Sequence, residues 1–202
     1  MHAVFEQVVC QIAEELNGLN ADSTQLHPCG LTYKWNAQQV VEHLVLSCRF
    51  TATALENRLS KGHLPRNRRR TYLQWLLQLM ILSFGKLPSG VPALDETMPV
   101  AGRFPAMSGR HLSELLREEM DTMDAALDRC RRKFGMERVA RHPLLGPLRV
   151  DQWRRYHVVH GWHHLIQLRA VIEQVAPSAV PVRVAGPTLV KELQVPVQRP
   201  FA

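Results

Sequence analysis

Four histidines fall within eight consecutive residues toward the end of the chain: His157, His160, His163 and His164. Side chains three or four residues apart share one face of a helix, so the pairs 157/160, 160/163 and 160/164 can each present two imidazoles to one metal ion. The pair 157/164 is two turns apart, about 10.5 Å along the axis, which is too far for one ion. The spacing predicts a metal site on a helix and leaves three candidate pairs open.

A further ligand is expected from another element, and His43 is the candidate. It lies in an apolar segment with helical periodicity, and metal sites in helical bundles are built from facing helices. Three neutral imidazoles with an open coordination position are typical of a catalytic metal centre. The competing interpretation is that His43 is a hydrogen-bonded core residue and that the clustered histidines form a pH-sensitive surface.

Apolar residues recur at helical spacing in five segments, which cover residues 4–17, 36–60, 71–84, 108–133 and 150–175. Segment 71–84 is apolar almost all round, which predicts a buried helix, with an interfacial helix as the alternative that its length leaves open. Connections rich in proline and glycine separate the segments, and the longest, residues 88–105, is expected to cover or line a site. The fold class predicted is all-α, a helical bundle with crossover connections.

The length of 202 residues suits one domain, which we place at residues 1–176, followed by an extended or flexible tail at residues 177–202. Four scattered cysteines argue against a disulfide framework, and neither a secretory signal nor a membrane-spanning run is present in the sequence. These features predict a cytoplasmic protein. The net charge of +7 includes basic clusters at 66–70 and 131–133, which we interpret as solvated surface, with an anionic ligand or partner as the alternative. No nucleic-acid or membrane partner is expected.

Three motifs resemble the DinB/YfiT-like superfamily. Residues 35–44 (WNAQQVVEHL) are similar to the entry to its second helix, and residues 160–167 (HGWHHLIQ) to its final-helix pattern H-x-x-H-H-x-x-Q. Residues 142–148 (HPLLGPL), followed by Asp151-Gln152-Trp153, resemble one branch of the superfamily. The resemblance spans residues 5–173 and implies a four-helix bundle of the DinB/YfiT type with an extra short helix. The long crossover loops and the extended C-terminal tail depart from the family pattern.

The resemblance also implies a ligand set. It selects His43, His160 and His164 as ligands of a divalent ion, commonly zinc or nickel, and so chooses among the pairs that spacing left open. His163 would then point away from the ion. Gln167 would orient a ligand or the substrate from outside the coordination sphere, and His157 is a candidate proton shuttle.

Some members of the superfamily are S-transferases that use bacillithiol, mycothiol or glutathione. The resemblance therefore implies transfer of a small-molecule thiol to an electrophilic substrate, because a divalent ion favours the nucleophilic thiolate. One alternative is metal-assisted hydrolysis, although Glu42, the carboxylate next to His43, would point about 100° away from it. The other is a non-catalytic metal-binding or stress-associated interaction protein. A homodimer through segment 71–84 and the tail is an alternative to burial of that segment.

Overall fold

A computed structural model describes residues 1–66, 69–88 and 93–175 of the chain, and most of them are helical. The α-helices of this part of the chain are α1 (Ala3–Leu16), α2 (Ala21–Gln25), α3 (Ala37–Lys61), α4 (Tyr72–Gln78), α5 (Gly109–Phe134) and α6 (Val150–Val175). A π-helical turn, Leu79–Ser83, continues α4, and 3-10 turns form at Pro28–Gly30 and Asp95–Thr97. The prediction of a mainly helical chain is confirmed.

A β-hairpin is the part of the fold that the sequence analysis missed. Strands β1 (Arg138–His142) and β2 (Gly146–Arg149) pair antiparallel between α5 and α6. The HPLLGPL motif supplies the turn, with Gly146 at φ +71°. The extended segments on either side are each too short to show a clear alternation of apolar and polar residues, so no strand was predicted there. The all-α prediction therefore has to be extended by a small two-stranded sheet over residues 138–149.

The ends of α3 follow the chemistry of its sequence. The Asn36 side chain accepts from the Gln39 backbone N–H, and the Gln39 side chain accepts in return from the Asn36 N–H, which makes a capping box. At the other end Gly62 adopts the left-handed conformation that terminates many helices. The capping box fixes the start of α3 two turns before His43.

Helices α1, α3, α5 and α6 pack against one another around the apolar core. Fully buried side chains such as Phe5, Ile12, Leu55, Met123 and Trp153 fill the space between them. Two of the contacts depend on glycine. A Cβ added at Gly161 would lie 2.5 Å from Val8 Cγ1, and one at Gly109 would collide with the backbone carbonyl of Leu16. Helix α6 can therefore approach α1 closely, one residue after His160.

The prediction that segment 71–84 is buried is wrong for its outer side. Leu77, Gln78 and Ile81 face the protein, whereas Tyr72 and Leu73 are 77% and 63% exposed. The reason is that Gln78 occupies the inward side, where its amide donates to the Leu145 carbonyl at 2.7 Å.

None of the described helices has the length and apolar composition needed to cross a bilayer. The predicted tail, residues 177–202, lies outside the described residues, so the boundary drawn at residue 176 stays a prediction.

Candidate metal centre

Three buried histidines converge where α3 packs against α6. The Nε2 atom of His160 lies 3.1 Å from His43 Nε2 and 3.0 Å from His164 Nε2. One ligand atom from each ring lies within 4.8 Å of the others, and each residue is at most 6% exposed. The structure thus brings together the three histidines that the sequence analysis singled out, as a cluster that could hold a metal ion.

Hydrogen bonds at Nδ1, the ring nitrogen that faces away from the cluster, determine the tautomers of His43 and His164. His43 Nδ1 lies 2.9 Å from the Thr97 carbonyl oxygen, and His164 Nδ1 lies 2.8 Å from Gln167 Oε1. Carbonyl and amide oxygens only accept, so both Nδ1 atoms carry a hydrogen. In a neutral imidazole the Nε2 atom then carries no hydrogen and presents a lone pair. Both lone pairs are directed toward His160.

The third ring, His160, cannot donate a hydrogen to both His43 and His164. His160 can donate at most one Nε2–H, which leaves the other neighbouring lone pair facing it without a hydrogen. If Nε2 carries no hydrogen, the proton sits on Nδ1, which is buried and has no partner within the described part of the chain. A cation at the centre would accept all three Nε2 lone pairs. The donor set therefore fits a metal better than it fits a hydrogen-bonded core.

The distances also agree with a single ion. Two nitrogens that are each about 2.0–2.1 Å from an ion are about 2.9 Å apart at a right angle and about 3.3 Å apart at the tetrahedral angle. The two separations from His160 Nε2, 3.0 and 3.1 Å, lie between these values. The three ligand atoms all lie within 4.8 Å of one another, so the cluster could hold one ion.

Burial keeps these imidazoles neutral. Desolvation, together with the neighbouring histidines, lowers the pKa of His160 well below its ordinary value and that of His164 to about 3. Burial likewise lowers the pKa of His43. At neutral pH all three rings are in the form that binds a metal, with no proton to displace from Nε2 of His43 or His164.

The cluster lies in the wall of a cavity of about 980 Å³. Most of the lining is apolar, and it includes Trp35, Phe50, Leu77, Ile81, Leu94 and Met98. The Trp35 ring is centred 5.1 Å from that of His43. No aspartate or glutamate belongs to the part of the wall that the structure describes. An ion held by the three histidines would have its open side toward a pocket of the size that binds small molecules.

The other histidines of α6 occupy different positions. His157 is fully buried behind the wall, where its Nε2 lies 2.9 Å from the Thr51 hydroxyl, and Thr51 itself lines the cavity. Burial lowers the pKa of His157 to about 3. His163 lines the cavity but its nitrogens are not part of the cluster. Gln167 lies against His164 Nδ1, the place expected of a residue that orients a ligand.

Two polar residues of the wall were not singled out from the sequence. His142 Nδ1 accepts from the backbone N–H groups of Leu144 and Leu145 at 3.1 and 3.2 Å, so its Nε2 carries the hydrogen when the ring is neutral. Burial lowers the pKa of His142 to about 4. The Tyr156 ring stacks on His160 at 5.4 Å and 13°, and burial raises the pKa of its hydroxyl. Both side chains are therefore neutral hydrogen-bond donors at neutral pH.

Sequence signals for both residues exist. His142 begins the HPLLGPL motif, and Tyr156 lies one helical turn before His160. The Thr97 carbonyl, by contrast, is a backbone atom in the connection between α4 and α5, and its identity carries no information in the sequence. That connection was expected to line a site, and Leu94, Thr97 and Met98 do line the cavity.

Comparison with known proteins gives one match. Neither the curated proteins nor the solved structures include a significant match to the chain. The family model for DUF1569, described as "Protein of unknown function", matches residues 12–171, a span that contains the three clustered histidines and the β-hairpin. Because the model matches well over half of the 202 residues, the chain belongs to the DUF1569 family.

Proposed function

We propose that this chain is a divalent-metal-dependent enzyme with the four-helix architecture of the DinB/YfiT type, and that it transfers a low-molecular-weight thiol to an electrophilic small molecule. The observation that carries the proposal is the convergence of three neutral imidazoles in the wall of a large, mainly apolar cavity. His43, His160 and His164 would hold the ion, and imidazole ligands suit zinc or nickel. When bound, the ion would favour the thiolate form of a thiol at neutral pH.

The protein's own groups supply the remaining requirements of thiol transfer. The apolar wall around Trp35 and Phe50 would bind the electrophile and keep bulk water from it. The sulfur would attack an electrophilic carbon and form a carbon–sulfur bond, while the leaving group departs with the bonding electron pair. The donors His142 Nε2–H and Tyr156 O–H are available to orient an acceptor oxygen of either reactant.

The thiol proton needs a route out of the cavity. Thr51 lines the cavity and its hydroxyl contacts His157 behind the wall, which makes this pair the candidate relay. Because burial lowers the pKa of His157 to about 3, the pair can pass a proton along but His157 does not retain one at neutral pH. His157 thus remains the candidate proton shuttle, acting through Thr51.

Hydrolysis ranks below thiol transfer because it requires a general base beside the attacking water. The nearest candidate from the sequence, Glu42, is buried away from the cavity and accepts from the Gln38 amide at 2.8 Å. With no carboxylate in the described cavity wall, the residues favour a thiol as nucleophile, because its free pKa of about 8.5 lies far below that of water, about 15.7, and it needs less help to lose its proton.

The test uses metal-loaded protein and a chromogenic electrophile. Glutathione, bacillithiol and mycothiol would each be mixed with 1-chloro-2,4-dinitrobenzene, and thioether formation followed by absorbance with zinc-loaded and nickel-loaded protein. We expect catalysis with at least one thiol, lost in the His160→Ala/His164→Ala variant and retained in His63→Ala, a surface control. A protein that binds metal stoichiometrically but accelerates none of these reactions would contradict thiol transfer and support the non-catalytic alternative.

A further inference from the structure

The outer side of α4 and its π-helical turn exposes a continuous apolar surface. This outer face consists of Tyr72, Leu73, Trp75, Leu76 and Leu79, with Phe84 just beyond the turn. Each of the six is between 36% and 77% exposed. Contiguous apolar patches of this kind on a folded protein commonly mark a surface that contacts a partner or a membrane.

An ordinary surface helix turns its apolar side inward and its polar side to solvent, whereas this helix is apolar on both sides. Gln78 points into the protein, donates to the Leu145 carbonyl and accepts from Arg70, each at 2.7 Å. The Gln74 side chain lies against Gly146 in the hairpin turn. Gln78, Leu77 and Ile81 therefore hold the helix and its π-helical turn on the protein, while the outer face remains apolar and exposed.

The segment of the sequence that carries the outer face is basic. Residues 57–94 contain seven lysines and arginines and no aspartate or glutamate, and the other 18 basic residues balance the chain's 18 acidic ones. The whole net charge of +7 therefore originates in this segment. Burial, together with the nearby Arg138 and Arg149, lowers the pKa of the Arg70 guanidinium.

We propose that the outer face of α4 docks onto an anionic lipid surface. Tryptophan, tyrosine, phenylalanine and leucine next to lysine and arginine form the composition of segments that lie in the membrane interface. Anionic headgroups would complement the acid-free segment 57–94. A second copy of the chain fits less well, because a two-fold interface would bring the same basic segments together. This proposal departs from the sequence-based expectation of no membrane partner and takes up the interfacial alternative that the length of segment 71–84 left open.

The test is co-sedimentation of the full chain with vesicles, which needs no metal. Vesicles of phosphatidylcholine alone would be compared with equimolar phosphatidylcholine and phosphatidylglycerol, at low and high salt. We expect the protein to sediment with the anionic vesicles, to be released by high salt, and to remain in solution with phosphatidylcholine alone.

Matched variants distinguish binding through the outer face from non-specific apolar binding and from an effect of net charge alone. Leu73→Gln/Leu76→Gln should weaken binding about tenfold or more, whereas Leu26→Gln/Val100→Gln, which changes apolar residues that are each 50% exposed elsewhere, should not. Arg66→Gln/Lys86→Gln should weaken binding more than Arg131→Gln/Arg132→Gln, although both pairs change net charge equally. Circular dichroism would verify that each variant is folded.

Two outcomes would overturn the proposal. One is equal sedimentation of the wild type and the Leu73→Gln/Leu76→Gln variant with anionic vesicles. The other is a wild-type dimer by light scattering that this variant converts to a monomer, with no vesicle binding by either, which would assign the outer face to a subunit interface.

Discussion

The ligand histidines are aimed by hydrogen bonds that lie behind them, on the nitrogen facing away from the cluster. For His43 the acceptor is the Thr97 carbonyl, and for His164 it is the Gln167 amide oxygen. Such a bond fixes the tautomer and the ring orientation, and its loss commonly weakens metal binding by a factor of roughly 10 to 100. Of the two, only the Gln167 bond can be removed by changing a side chain.

Gln167→Ala should therefore lower the affinity for zinc roughly 10- to 100-fold, measured by competition with a chromogenic chelator. The matched control is Gln174→Ala, two turns further along α6, whose side chain bonds the Ala170 carbonyl and Cys29 instead of a clustered histidine. Equal affinities for the two variants would show that the Gln167 bond does not orient His164.

Single residues were the part of the site most open to prediction. Histidines have a small set of uses, and the helical period restricts which of them can meet, so His43, His160 and His164 could be proposed from type, spacing and family resemblance. His142 was missed because its part in the wall depends on the β-hairpin, which was not predicted. Tyr156 was missed although it lies one helical turn before His160, because a tyrosine at that spacing is as easily a packing residue.

Among the elements, the close approach of α6 to α1 positions the two ligands on α6. Gly161→Ala should destabilise the protein, because its new methyl group would lie 2.5 Å from Val8 Cγ1. Overpacking of this kind costs about 1–3 kcal/mol, reduced by the gain of about 1 kcal/mol from replacing glycine in a helix. Urea unfolding of the metal-free protein would measure the net change.

The compensating change is Val8→Ala, which removes the contacting methyl groups. The double variant Val8→Ala/Gly161→Ala should be more stable than the sum of the two single changes predicts, which a double-mutant cycle would reveal. Strict additivity would show that the Gly161 contact does not set the distance between α1 and α6.

Long helices with clear periodicity and caps were predictable at the level of elements. Asn36 and Ser108 cap α3 and α5 as their positions in the sequence indicate. The orientation of α4 was not predictable, because a helix that is apolar all round gives no periodic signal for its inward side. Gln78 helps to determine the orientation through hydrogen bonds to the Leu145 carbonyl of the hairpin turn and to Arg70, which local periodicity does not reveal.

For the whole molecule, the buried neutral histidines make stability depend on pH. Burial lowers the pKa of His142 to about 4 and that of His157 to about 3, whereas an unfolded histidine titrates at about 6.5. The unfolded state therefore binds protons first as the pH falls. The stability that each residue contributes is fully present above about pH 6.5 and is lost as the pH falls toward the folded-state value.

For each of these two histidines, the unfolding free energy of the metal-free protein should fall by about 2 kcal/mol as the pH is lowered from 7 to 5. Urea unfolding across this range would measure the loss. His157→Gln, which can keep a hydrogen bond to Thr51 but does not titrate, should reduce the loss by about 2 kcal/mol. A variant with the same pH dependence as the wild type would contradict the buried, neutral state of His157.

The central claim is that His43, His160 and His164 form a metal site, and the most direct test is elemental analysis of untagged protein after reconstitution with zinc or nickel and removal of free metal. We predict close to one ion per chain in the wild type and in His163→Ala, whose ring lies beside the cluster without belonging to it. The His160→Ala/His164→Ala variant, verified as folded by circular dichroism, should retain almost none. A wild-type protein that holds neither metal, or a double variant that keeps a full complement, would contradict the account.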